Sequence, residues 1–192
     1  MVGVSGPMLA DSAVAGRRFL IGLALGSLAG SVLLASVGVV AGLGFDEFAV
    51  PTDARRVALV ALVAVLGLAD VLNRTPQVWR QVPQRLVREL TPGMLGTVWG
   101  FDLGLIVTTK KVTSLWWIAI IGLILINPEL LAMAVPLGAA LTALAIASWS
   151  VRVRGHTSCL MKRQRTQIVQ LRMASGTLML ATAILLGTGV VI

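Results

Sequence analysis

Apolar residues run along this chain in long blocks separated by short clusters of charge. The blocks are Phe19 to Gly44, Val57 to Leu72, Met94 to Thr109, Val112 to Ile126, Leu130 to Ser150 and Ala174 to Ile192. A membrane-crossing helix needs about 20 mainly apolar residues, so blocks of this kind predict an all-α bundle of membrane helices. The first block has 26 residues, enough to cross with tilt or to be broken near Gly38 and Gly42. Pro136 lies inside the fifth and predicts a local kink, because a proline removes one helical hydrogen bond.

The interruptions are as regular as the blocks. Asp46, Glu47, Pro51, Thr52 and Asp53 form a polar loop, and Asn127, Pro128 and Glu129 form a tighter one. Asn73 to Glu89 is a basic loop with Arg74, Arg80, Arg85 and Arg88, broken by Pro76 and Pro83. Its Val82, Leu86, Val87 and Leu90 predict an amphipathic helix on the lipid surface, with Trp79 at headgroup depth. Val151 to Met173 is a second basic loop, carrying Arg152, Arg154, Lys162, Arg163, Arg165 and Arg172 and no acid. Trp116 and Trp117 form a pair typical of a membrane interface. Asp70 and Arg74, four residues apart, predict a local ion pair at the end of the second block.

Composition narrows the class. The chain has 192 residues, 57% of them hydrophobic and 12% charged, with a mean hydropathy of +0.92. Soluble domains carry about 25% charged residues, so the solvent expected here is a lipid bilayer. The net charge of +8 falls in the gaps between apolar blocks, which predicts lipid-facing cytoplasmic loops rather than a nucleic-acid surface. Arg17 and Arg18 precede a block too long for a signal-peptide core, so it is read as a retained span. The lone Cys159 excludes an intrachain disulfide, and the lone His156 leaves too few ligands for a zinc site. No metal or cofactor is expected. The sequence has no H-E-x-x-H and no paired catalytic carboxylates, and His156, Ser158 and Cys159 sit in a basic loop, so an enzyme is not expected.

With Arg17 and Arg18 cytoplasmic, two topologies are open. Five spans plus a re-entrant Met94–Thr109 keep both basic loops and the Lys110–Lys111 pair inside. Six spans place the lysine pair and the second basic loop outside. Either way the expectation is one transmembrane domain over residues 1–192, multi-pass in the plasma (inner) membrane. Gly22, Gly26 and Gly30 recur as Gly96, Gly100 and Gly104, an offset of 74 residues. That points to repeats over about 17–90 and 91–173 with a last span at 174–192, and small residues at this spacing favour helix packing.

Asp102 is the residue that calls for a reason. It lies among Trp99, Phe101, Leu103 and Leu105, where a carboxylate costs several kcal/mol unless paired, protonated or wet. The leading expectation is a small transporter or exporter of a small solute or ion. Asp102 would bind a proton or cation, Thr108 and Thr109 would offer hydroxyls, and Lys110 or Lys111 would tune the carboxylate or meet an anion. The alternative is a non-catalytic membrane subunit or assembly factor. Such a subunit would present its glycine stripes to other membrane subunits or to a second copy of itself.

The run GFDLGLIVTT, Gly100 to Thr109, resembles the glycine-rich first helix of each repeat in the membrane thiol–disulfide carriers of cytochrome c biogenesis. These belong to the wider lysine-exporter-like superfamily of small multi-span proteins. The resemblance implies a repeat-built bundle. In that family each repeat carries a cysteine; here the matching places hold Ser27 or Ser31 and Thr108 or Thr109, and Cys159 lies in a loop. The implied fold therefore comes without an intrachain thiol reaction.

Overall fold

A computed structural model describes residues 12–76, 89–105, 112–153 and 160–188. The described residues form six helices: α1 (Ala13–Glu47), α2 (Thr52–Val71), α3 (Pro92–Gly104), α4 (Leu115–Ile126), α5 (Pro128–Val153) and α6 (Leu160–Gly187). There are no strands among the described residues. Helices suit such a chain because lipid offers no partner to an unpaired backbone N–H or C=O, and a helix pairs them within the segment. Three stretches are long and apolar enough to cross a membrane: Ala13–Glu47, Pro128–Arg152 and Ile168–Gly187.

The described helices resolve two points of the sequence pattern. α1 runs unbroken through Gly38 and Gly42, where glycine makes room for Leu131 and Pro128. α6 begins at Leu160, so much of the second basic segment is helix rather than loop. α5 runs through Pro136 as one helix. α3 and α4 are short, with 13 and 12 residues. At 1.5 Å per residue they reach only about 20 Å and about 18 Å, against a hydrocarbon core of about 30 Å. Met94 to Gly104 is helical throughout, so no chain reversal falls within those residues.

α1 and α2 end alike. The Val50 N–H reaches back to the Phe45 carbonyl and the Ala49 N–H to Asp46; Arg74 and Asn73 repeat this with Ala69 and Asp70. Each ending needs a left-handed residue, and Ala49 (φ 51°) and Asn73 (φ 56°) supply it. Beyond the first turn, Arg55 of α2 donates to Asp46 Oδ1 at 2.7 Å and lies over the Phe45 ring.

The helices sort into two compact units. The first gathers α1 through Ser36, α3, and α5 from Ala132. Its core is Phe19, Leu23 and Leu95, flanked by Leu20, Leu90, Trp99 and Ile146. Phe19 and Trp99 meet edge to face at 6.0 Å. The second gathers α1 from Val37, α2, α4, the start of α5 through Leu131, and α6 from Lys162. Its core is Val63, Met179 and Ala183 with Leu59, Val60, Ala64 and Ile118. On α2 the buried positions Val63, Leu66, Gly67 and Asp70 recur every three to four residues and form one face. That face approaches α6 most closely at Gly67, where a Cβ on Gly176 would lie 2.8 Å from the Gly67 carbonyl and from the Val71 nitrogen.

Candidate functional site

In the first unit α1 and α3 lie parallel with their backbones almost touching. A Cβ at Gly22 would strike the Gly93 carbonyl, at Gly26 the Thr97 carbonyl, and at Gly30 the Phe101 carbonyl. From the other side, Gly96, Gly100 and Gly104 meet the carbonyls of Phe19, Leu23 and Ser27. All six stripe glycines therefore lie along one contact. The contacts are also reciprocal: Gly22 faces the Thr97 nitrogen as Gly96 faces the Leu23 nitrogen, and the 74-residue offset exchanges the two pairs. Backbones this close bring Cα–H groups within reach of facing carbonyls, a weak but repeated attraction.

Asp102 lies on α3 away from that contact. It shares a helical side with Leu95 and Trp99, seven and three residues before it, and is only 8% exposed. Its side chain is engaged rather than free. The Trp99 indole N–H is buried and makes no hydrogen bond among the described residues. One face of α3 thus carries a buried acceptor and a buried donor that lacks an acceptor. Ser27 and Ser31 are fully buried as well; Ser27 Oγ donates to the Ala139 carbonyl at 3.3 Å and Ser31 Oγ to the Leu28 carbonyl at 2.8 Å. Thr108, Thr109, Lys110 and Lys111 lie outside the described residues, as do His156 and Cys159.

The second unit holds a carboxylate that the sequence pattern misassigns. Asp70 is fully buried, and Arg74, its expected ion-pair partner, is exposed. Its Oδ1 accepts from Thr75 Oγ1 and Ser114 Oγ, and its Oδ2 from the Ser114 backbone N–H, each at 2.7 Å. Ser175 Oγ stands 3.4 Å from Oδ2 but has a shorter bond to the Arg172 carbonyl at 3.0 Å. Ser114 immediately precedes α4 and makes no side-chain cap of its own. Asp70 does that work instead, placing negative charge at the positive end of the α4 dipole. Arg172 completes the tie, donating Nε to the Val112 carbonyl at 2.7 Å and Nη1 to Asn73 Oδ1 at 2.6 Å.

Among the described residues no group of three or more His, Cys, Asp or Glu side chains could hold a metal ion. With its lone pairs taken by donors, Asp70 is built as a clasp. Asp102, with Trp99 beside it, is the better candidate for chemistry. No protein-family model, curated protein or solved structure matches this chain.

Proposed function

We propose that this chain is a small multi-pass membrane transporter or exporter of a small solute or ion, with Asp102 as its coupling carboxylate. The observation that carries this reading is the face of α3 on which Asp102 and the Trp99 N–H are both buried. A buried donor without an acceptor costs about 1–3 kcal/mol. A carboxylate at membrane depth also costs several kcal/mol unless compensated, so such residues mark ion and solute paths. A solute carrying an acceptor would satisfy the Trp99 N–H, and a proton or cation exchanging at Asp102 would couple its passage. Thr108, Thr109, Lys110 and Lys111 belong to the proposal as hydroxyl and ammonium groups just beyond α3.

The proposal includes five crossings of the plasma membrane with α3 dipping in and returning. It also includes a duplicated, lysine-exporter-like architecture, supported by the reciprocal α1–α3 contacts. The test is proton and cation flux in proteoliposomes. Asp102→Asn should abolish a flux that the wild type supports, while Asp102→Glu retains part of it. Unaltered flux through correctly inserted Asp102→Asn removes Asp102 from the role.

A second reading, a non-catalytic membrane subunit, is favoured by one feature. Met133, Leu137, Leu141 and Leu144 of α5 are 58–76% exposed and spaced as one apolar stripe, a face for lipid or for a partner helix. Purification as a stable lone monomer counts against it.

A further inference from the structure

A groove of about 580 Å³ opens on the first unit beside the α1–α3 contact. Because the helices are parallel, it runs from Arg18 and Thr91 to Leu25 and Val98, two turns further along α1. Its walls are Ile21 and Leu25 on one side and Met94 and Val98 on the other, all 39–61% exposed. The volume falls in the range of about 300–1,000 Å³ usual for small-molecule sites. The ends differ in character. At the Arg18 end the guanidinium makes no hydrogen bond or ion pair among the described residues, and Arg17 stands next to it. Among the described residues no acid lines the groove, and the Thr97 hydroxyl is spent on the Gly93 carbonyl at 3.1 Å.

We propose that this groove binds an anionic phospholipid, with one acyl chain between the two apolar walls and the phosphate at Arg18. The occupant follows from charge and place. One wall, Ile21 and Leu25, belongs to the first apolar turns of a helix long and apolar enough to cross a membrane, where an acyl chain would be the surrounding solvent; the other, Met94 and Val98, belongs to α3 packed against it. The cationic end sits where that helix begins, at headgroup level, and basic pockets between membrane helices recognise anionic headgroups. A neutral lipid would satisfy the walls but leave the guanidinium without its counter-charge. The inference does not depend on the transport reading.

Native mass spectrometry of the full chain in mild detergent tests it, using phosphatidylglycerol and phosphatidylcholine with the same acyl chains. The wild type should retain phosphatidylglycerol about fivefold over phosphatidylcholine, the scale of one basic residue at an anionic surface. Arg18→Gln should erase the preference and Arg18→Lys should keep it, with Arg17 present in both. Gly93→Leu should displace both lipids by filling the groove. A Cβ there meets only the Arg18 carbonyl, at 3.8 Å, an ordinary van der Waals contact. Equal retention of the two lipids by the wild type overturns the proposal, as does a full preference in Arg18→Gln. If Arg18→Gln does not fold, phosphatidylglycerol binding unchanged in Gly93→Leu overturns it as well. A dimer closed over the groove with no lipid bound does the same.

Discussion

Replacing Asp70 by alanine strands three donors at once: Thr75 Oγ1, Ser114 Oγ and the Ser114 N–H. The hydroxyls can turn elsewhere, but the buried backbone N–H cannot, and an unmet buried donor costs about 1–3 kcal/mol. Asp70→Ala should therefore destabilise the protein by about 3 kcal/mol, and Asp70→Asn by about half as much, since the amide oxygen still accepts. Thermal unfolding in detergent, followed by helical circular dichroism, measures both. An Asp70→Ala midpoint equal to wild type would mean that the clasp carries no stability. The misreading of Asp70 has a physical origin. Arg74 at four residues' distance offers an adequate local partner, whereas two of the three true donors belong to Ser114, 44 residues further on, and only Thr75 is local. Asp102 stands out in the sequence because its neighbours Trp99, Phe101, Leu103 and Leu105 are apolar; Trp99 does not, because an indole reads as apolar until its N–H is found buried.

For helices, glycine spacing carries information only when it repeats. Gly22 to Gly30 and Gly96 to Gly104 advertise a close approach by their intervals, and α1 and α3 make that approach. Gly67 and Gly176 make one between α2 and α6, yet each stands alone in sequence and gave no signal. Their surroundings predict opposite effects of the same substitution. Gly100→Ala puts a methyl against the Leu23 carbonyl and 2.8 Å from the Ser27 nitrogen, both backbone atoms that yield only if the helices part. A cost of about 1–3 kcal/mol is expected, the range for overpacking. Gly138→Ala adds a methyl where nothing lies within 4 Å. There the helix should gain about 0.5–1 kcal/mol from reduced backbone freedom. Comparing the two unfolding midpoints separates contact from mere propensity. If both variants lose equal stability, the α1–α3 contact is not the reason its glycines are glycine.

At the scale of the whole chain, helix length decides how often it can cross. Six crossings require both α3 and α4 to traverse the bilayer as separate spans, yet they hold 13 and 12 residues. About 20 are needed. A glycine-rich helix too short to cross can still enter and return, provided that protein or water covers its non-helical backbone. By length alone α4 falls as short as α3; the proposed topology has α4 cross and α3 return, giving five crossings with the two ends of the described chain on opposite faces. The proposed topology also fits the distribution of charge. An odd count returns Arg152 and the cations of the α6 amino-terminal region to the side of Arg17 and Arg18, as the bias of basic residues toward one face requires. The measurement is labelling by a membrane-impermeant maleimide in a Cys159→Ala background, with single cysteines at exposed positions. Ser12→Cys and Thr188→Cys should react from opposite sides in intact and inverted vesicles. Reaction of both from one side would mean an even number of crossings. An even number arises either if α3 extends past Gly104 far enough to span or if the 12-residue α4 does not cross, and either result overturns the five-crossing proposal.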